Sequence, residues 1–349
     1  MCSGPLRSLS DMGAAQLLKT AVLGAGSFGT ALASVLLEAG HEVTLWCFEP
    51  GHAAEVQAAG RNTRYQSDYA LEGVQATDSI AQAVSGCDLV LFVSPSHVMR
   101  TVARQAAPHL RSDCLLVSAA KGIEAGGDTM DEVLCEELPV ALHNRLAYIS
   151  GPSFAFEVLG RRPTAVVVAA RSDEVGAAVQ QAFATPAFRT YRTQDVMGVE
   201  IGGAVKNVIA IAAGLSDGLE FGHNTRAAVI TRGLAEMSRL GVAKGADPLT
   251  FMGLAGMGDL VLTCTGDLSR NRTVGKRLAA GLSLDEVTAS LGGQVAEGVR
   301  TTVSTRELAG ALDLDMPIVD AVYSILYEGV DPKEAVVRLM GRPLKRERD

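Results

Sequence analysis

The sequence predicts an α/β N-terminal Rossmann domain, built on a doubly wound and mostly parallel sheet, followed by an all-α C-terminal domain. Three observations carry this. Short apolar runs alternate with Ala- and Leu-rich helical stretches through the first half of the chain. The glycine signature Gly24-Ala25-Gly26-Ser27-Phe28-Gly29 stands between the first apolar run and the first helical stretch. From Val196 onward the apolar spacing is helical and continuous strand patterns disappear.

Taken in order, residues 20–23 read as a strand, 28–39 as a helix and 42–48 as a second strand. Residues 89–94, 114–118, 147–150 and 164–169 are further strands, each brief, apolar and fenced by Gly, Pro, Asp or Ser. Strands separated by helices pair in parallel with right-handed crossovers. The second half opens on a long helix in which Gly202, Gly203, Val205, Ile209, Ile211 and Ala212 imply close packing. Helices over 285–291, 302–312, 317–327 and 332–340 follow. Ser283 ahead of Glu286, and Pro332 after Asp331, are helix-start signals. The expected division is an extension 1–18, a dinucleotide-binding domain 19–195 and a helical substrate domain 196–349, with the long helix as the hinge.

Length and composition agree. A chain of 349 residues exceeds one simple core. Its 48% hydrophobic and 20% charged residues are an ordinary globular balance. The formal net charge of −8 argues against a nucleic-acid partner, though not against a small anion, which needs only local donors. The six cysteines, at 2, 47, 87, 114, 135 and 264, form no CxxC pair and no zinc spacing. No metal site is expected, and scattered thiols suit a reducing compartment. Residues 1–18 hold no apolar segment of signal-peptide type, and no later run reaches membrane-spanning length without charge or Gly. A cytoplasmic protein without an integral membrane segment is expected.

The glycine signature has the spacing and context of a dinucleotide site. Gly24 permits the tight turn, Gly26 lets the backbone approach a pyrophosphate, and Gly29 lets the helix sit against the sheet. Ser27 and Phe28 open the helix whose amide groups face the anion. Glu49, twenty residues beyond Gly29, stands where a carboxylate accepts hydrogen bonds from the adenosine ribose. A 2′-phosphate calls for Arg or Lys; Cys47, Phe48 and Glu49 offer none, while His52 and Arg61 are close by. NAD is therefore slightly favoured over NADP.

Other segments carry chemistry. Lys121 and Gly151 follow strands, at the edge where ligands bind an open α/β sheet. Lys206-Asn207 lies inside an apolar, Gly-rich helical stretch, where a lysine is costly unless paired, snorkelling or functional. Gly256-Met257-Gly258-Asp259 and Ser269-Arg270-Asn271-Arg272 follow. Each alone has an ordinary explanation as a surface lysine, a turn aspartate or a helix cap.

Together these segments resemble NAD(P)-dependent glycerol-3-phosphate dehydrogenase of the bacterial type. The matching stretches are GAGSFGTALA (24–33), VSPSHVMR (93–100), AAKGIE (119–124), SGPSFA (150–155), EIGGAVKNVIAIAAG (200–214), GMGDL with SRNRTVG (256–275), AEGVRTT (296–302), MPI (316–318) and LMGRPLKRE (339–347). The resemblance implies reduction of dihydroxyacetone phosphate to sn-glycerol 3-phosphate, supplying phospholipid synthesis, by a homodimer. It implies Lys206 as proton donor and acceptor at the C2 oxygen, with Lys121 and Asp259 beside it. Gly151, Ser153, Asn207, Ser269, Arg270 and Asn271 match substrate positions. Ser27, Phe28, Phe48, Lys121, Ala155, Arg270, Val295 and Glu297 match cofactor positions. Phe48 and Phe156 depart from the family's usual residues and bear on the choice of NAD or NADP. A 3-hydroxy-acid dehydrogenase of similar build and a non-catalytic dinucleotide sensor are the alternatives.

Overall fold

A computed structural model describes residues 17–291, 296–344 and 346–347. Among the described residues eight strands form one sheet. They alternate with helices: β1 (Lys19–Leu23), α1 (Ser27–Glu38), β2 (Glu42–Trp46), α2 (His52–Ala59), β3 (Gln75–Thr77), α3 (Ile80–Val84), β4 (Leu89–Phe92) and α4 (Met99–Ala106). Next come β5 (Leu115–Ser118), α5 (Met130–Glu137), β6 (Leu146–Ser150), α6 (Ala155–Leu159), β7 (Thr164–Ala170), α7 (Asp173–Ala182) and β8 (Phe188–Thr193). The strand order is β3-β2-β1-β4-β5-β6-β7-β8. All neighbours are parallel except β6 and β7.

The central strands are buried along almost their whole length, which suits a sheet covered on both faces. Val22, Leu45, Leu91, Val117 and Ile149 belong to the core on one face. Ala21, Leu23, Val90, Phe92, Leu116 and Tyr148 belong to the other. The register aligns Leu23 with Phe92, Phe92 with Ser118, and Ser118 with Tyr148. The loops holding the glycine signature, Ser96, Lys121 and Gly151 therefore leave the sheet along one edge.

Two strands escaped the sequence reading. β3 has only three residues. β8 reads FRTYRT and alternates buried with exposed residues at the sheet's end, so its signal is periodicity and not apolarity.

The second half is helical: α8 (Val196–Gly218), α9 (Gly222–Ala243), α10 (Asp259–Thr265), α11 (Arg270–Ala279), α12 (Leu284–Ala289), α13 (Glu297–Ala311), α14 (Pro317–Tyr327) and α15 (Pro332–Met340). The last two have the bounds expected from their prolines. α8 starts where Asp195 accepts a hydrogen bond from the Gly198 N–H at 2.9 Å. It is long and apolar enough to cross a membrane by length and composition, but it is a mostly buried core helix.

α8 packs into both layers of the molecule. Val196 and Val199 sit in the core of the sheet, while Ile201 to Leu215 supply the centre of the helical core. Glu200 between them is buried and accepts a hydrogen bond at 3.1 Å from the Asp131 N–H in the first turn of α5. Burial pushes its carboxyl up to about 8. One helix thus belongs to both layers.

α11 crosses α8 at very short range. A Cβ on Gly214 meets the Arg272 carbonyl oxygen at 2.0 Å, and one on Gly275 meets the Ile211 carbonyl oxygen at 2.1 Å. Only backbone fits there. Gly275→Ala is expected to destabilise the protein by about 2–3 kcal/mol through overpacking. Denaturant unfolding of the purified variant checks this, with a midpoint equal to that of the parent counting against it.

Candidate active site

The sequence places Lys206 mid-way along α8 with helix packed on every side, and the structure buries it at 6% exposure. Its Nζ donates to Asp259 Oδ1 at 2.6 Å and to Thr263 Oγ1 at 3.0 Å. Lys121, from the loop after β5, donates its Nζ to Asp259 Oδ2 at 2.8 Å and to the Gly151 carbonyl at 3.0 Å. One carboxylate therefore holds two ammonium groups, one from each half of the chain. Asp259 is the first residue of α10, which continues without a break from the wide helical turn Leu254–Gly258.

Burial and the neighbouring Lys121 ammonium bring the Lys206 amine down to about 8, with Asp259 opposing them. Burial alone raises an aspartate; here the charges of Lys121 and Lys206 outweigh it and keep Asp259 below the usual carboxylate range. The cluster carries two cations and one anion, so it presents net positive charge.

A second polar chain runs beside it. Asn207 Nδ2 donates to the Gly203 carbonyl at 3.3 Å and reaches the Lys121 carbonyl at 3.5 Å. Its Oδ1 accepts from Asn271 Nδ2 at 2.9 Å, and Asn271 Oδ1 accepts from the Gly298 N–H at 3.0 Å. These bonds tie the loop after β5 to α8, α11 and α13. Ser153 donates to the same Gly151 carbonyl that Lys121 uses, at 2.9 Å. Ser269 caps α11, accepting from the Arg272 N–H at 3.2 Å.

The two arginines of the SRNR stretch divide their work. Arg272 is buried, bonded to Asp217 at 2.7 Å and to Asp267 at 2.7 Å. Arg270 is exposed at the start of α11, and no hydrogen bond or ion pair engages its guanidinium among the described residues. An unspent guanidinium beside a helix N-terminus is a ready anion site.

On the sheet side, Gly24 has φ +133°, and a Cβ on Gly29 lies 1.9 Å from the Gly24 carbonyl oxygen. The face of Gly26 is open, with nothing within 4 Å of a Cβ. Ser27 and Phe28 begin α1, and Lys121 Nζ stands 5.5 Å from the Phe28 ring centroid, joining the nucleotide loop to the lysine cluster. Ala155 begins α6 and packs with Phe28 against the same core. Phe48 is 78% exposed beyond β2, an apolar ring facing solvent. Glu297 begins α13 and accepts from Ser96 Oγ at 2.7 Å, across to the sheet side. Val295 lies outside the described residues.

Glu49 sits just past β2, as expected, but its carboxylate is not idle. Oε2 pairs with His52 Nδ1 at 3.2 Å, and Oε1 accepts from the Tyr65 hydroxyl. Partial burial opposes its charge, yet these bonds outweigh burial and hold its carboxyl below the usual range. Thr263, Ser96, Asn62 and Tyr65 were not singled out in the sequence. Thr263 alone had a local signal, since it lies one helical turn from Asp259 and donates back to the Asp259 carbonyl at 2.6 Å.

A parallel sheet with a glycine-rich nucleotide turn, facing a helical domain across a buried Lys–Asp–Lys cluster, defines a two-domain Rossmann-type dehydrogenase. Residues 19–176 match the family model for the NAD-dependent glycerol-3-phosphate dehydrogenase N-terminus, and residues 195–337 that for its C-terminus. The chain is 53% identical over 331 residues to glycerol-3-phosphate dehydrogenase [NAD(P)+] of Geobacter sp. (strain M21), covering 94% of this chain and 98% of that one. The crystal structure of glycerol-3-phosphate dehydrogenase from Coxiella burnetii superimposes with a TM-score of 0.89 at 40% identity, covering 93% of this chain and 99% of that chain. The yeast enzyme from Saccharomyces cerevisiae gives 0.78 at 27% identity, over 92% and 98% of the two chains. The chain belongs to the NAD-dependent glycerol-3-phosphate dehydrogenase family.

Asp259→Asn leaves the buried Lys206 ammonium and the partly buried Lys121 ammonium without their counter-charge. The expected cost is about 3–5 kcal/mol of stability, together with a further fall in the pKa of the Lys206 amine. Thermal unfolding and pH-dependent amine labelling of the variant report the two effects; an unchanged melting temperature speaks against the shared carboxylate.

Proposed function

We propose that this chain catalyses the reversible, nicotinamide-dependent reduction of dihydroxyacetone phosphate to sn-glycerol 3-phosphate, with Lys206 handling the proton at the C2 oxygen. The observation that carries the reading is the buried Lys206–Asp259–Lys121 cluster lying between a dinucleotide turn and an unspent Arg270.

The nicotinamide supplies or accepts the hydride at C2. As a ketone is reduced, negative charge builds on its oxygen. A net-positive cluster in a water-poor site stabilises that charge without having to reorganise. Lys206 donates the proton, and its amine, brought down to about 8, is basic enough to take it back in oxidation. Asp259 keeps both ammonium groups from rotating away. Lys121 lowers the Lys206 pKa and adds charge beside the oxygen. The substrate phosphate is assigned to Arg270 and the free amides at the start of α11, with Ser269 and Asn271 alongside. Gly151, Ser153 and Asn207 complete the wall.

For the cofactor, the Gly24–Gly29 turn takes the pyrophosphate and Phe48 offers a face to the adenine. Glu49 takes the ribose hydroxyls in addition to its His52 and Tyr65 bonds. Ala155 and Glu297 border the nicotinamide half, and the family resemblance adds Val295 to the cofactor contacts. Glu49 keeps its negative charge, which favours NAD over NADP. We also assign the domain boundary to 195/196. The family resemblance supports a cytoplasmic homodimer, and the free, buried thiols of Cys47, Cys87 and Cys114 suit a reducing compartment. A 3-hydroxy acid has no phosphate for Arg270, and a sensor has no use for the lysine pair.

Ketone reduction needs Lys206 protonated and alcohol oxidation needs it neutral. Turnover in reduction should fall as pH rises through about 8, and oxidation should rise over the same interval. Lys206→Ala should abolish both while NADH binding persists. Pre-steady-state absorbance at 340 nm across pH measures these, and a pH-independent rate or an active alanine variant defeats the assignment.

Arg270→Ala should raise KM for dihydroxyacetone phosphate on the order of 10–100-fold, the cost of a charge-assisted hydrogen bond. Steady-state kinetics with phosphorylated and unphosphorylated ketone decide this. Glu49→Gln should narrow the preference for NADH over NADPH, read from parallel titrations with the two reduced cofactors. An unaltered ratio removes Glu49 from cofactor choice.

A further inference from the structure

Behind the glycine turn lies a fully buried polar knot that the reaction does not use. Thr30, His52 and Asn62 each have 0% exposure. Asn62 comes from the loop after α2. Its Nδ2 donates to the Ala25 carbonyl at 2.7 Å and to Thr30 Oγ1 at 2.8 Å. Thr30 Oγ1 in turn donates to the Gly26 carbonyl at 2.9 Å. On its other side, Asn62 Oδ1 accepts from His52 Nε2 at 2.9 Å and from the N–H groups of Arg64 and Tyr65, both at 3.2 Å. His52 and Tyr65 are the two groups that grip Glu49. Both amide protons of Asn62 and its carbonyl are thus spent inside the protein, on the two consecutive peptide groups at the heart of the turn and on the holders of Glu49.

The geometry has a direct consequence. A trans peptide is planar, so the carbonyl of Ala25 and the N–H of Gly26 point in opposite directions; no cis bond occurs among the described residues. By pulling the Ala25 carbonyl inward, Asn62 aims the Gly26 N–H outward, onto the face of the turn where a Gly26 Cβ meets nothing within 4 Å. The bond from Thr30 to the Gly26 carbonyl does the same for the Ser27 N–H. We propose that Asn62 is the positioning residue that presets these two amides for the cofactor pyrophosphate. This rests on the reading that the glycine turn carries the pyrophosphate.

Asn62→Asp removes both donations and sets a carboxylate against the Ala25 oxygen. The pyrophosphate is common to both cofactors, so KM for NADH and for NADPH should rise together, on the order of tenfold, at pH 8. The ratio between the cofactors, kcat at saturating cofactor and KM for dihydroxyacetone phosphate should stay within about twofold of the parent. Lowering the pH should recover affinity relative to the parent, because the neutral carboxyl again donates one bond to the Ala25 oxygen. A purely structural role gives no such recovery. Thr30→Val, which deletes the hydroxyl but keeps the shape, should shift both KM values the same way by a smaller factor, and carries the test if the first variant does not fold. Unchanged cofactor KM in either soluble variant overturns the proposal, as does a joint loss of kcat and melting temperature without recovery at low pH. The underlying reading is tested separately with Gly26→Val, whose side chain enters only the open face. Intact NADH binding in that variant dismisses the glycine turn as the phosphate site, a failure distinct from that of Asn62.

Discussion

The site depends on one carboxylate shared by two amines. Without Asp259, Lys206 cannot remain charged in a buried helix, and Lys121 has no reason to lean across from the sheet. With it, the two halves of the chain meet at a point that is neither neutral nor fully charged. The surplus of one positive charge is what a carbonyl oxygen gathering electrons requires. Pairing each lysine with its own acid would cancel that surplus, and leaving both unpaired would expel the charge from the site.

Bringing the pieces to that point is a matter of backbone approach. The strand register sends the glycine turn, Lys121 and Gly151 out along one edge of the sheet. Glycines at the crossing of α8 and α11 let the helices close until only backbone separates them. That closeness is what lets Asn207 and Asn271 bond directly and sets Arg270 at the rim. Polar contacts and packing are not separate contributions here: the asparagine chain exists because the glycines allow it.

Much of this was legible in the sequence. The glycine spacing, the parallel architecture and the helical second half were visible because each follows from local rules of turn geometry and periodicity. The Lys206, Lys121 and Asp259 stretches stood out as costly or turn-bound residues, and the resemblance grouped them. What escaped was non-local. That Asp259 serves two lysines depends on contacts across more than fifty positions of chain. Thr30 and Asn62 look like ordinary helix and loop residues until the fold buries them together. β8 was missed because its polar face points to solvent. The run of apolar residues in α8 gave no hint that its first turn serves the sheet.

That shared helix has an evolutionary and engineering consequence. The helical half is not a cartridge that can be exchanged between dinucleotide-binding sheets by cutting at a linker, since the first turn of α8 is interior to the sheet half and the rest of that helix to the helical half. A graft must carry α8 whole, together with the α5 surface that Glu200 caps. Recombination within this architecture is therefore confined to partners that already agree on the shape of that surface.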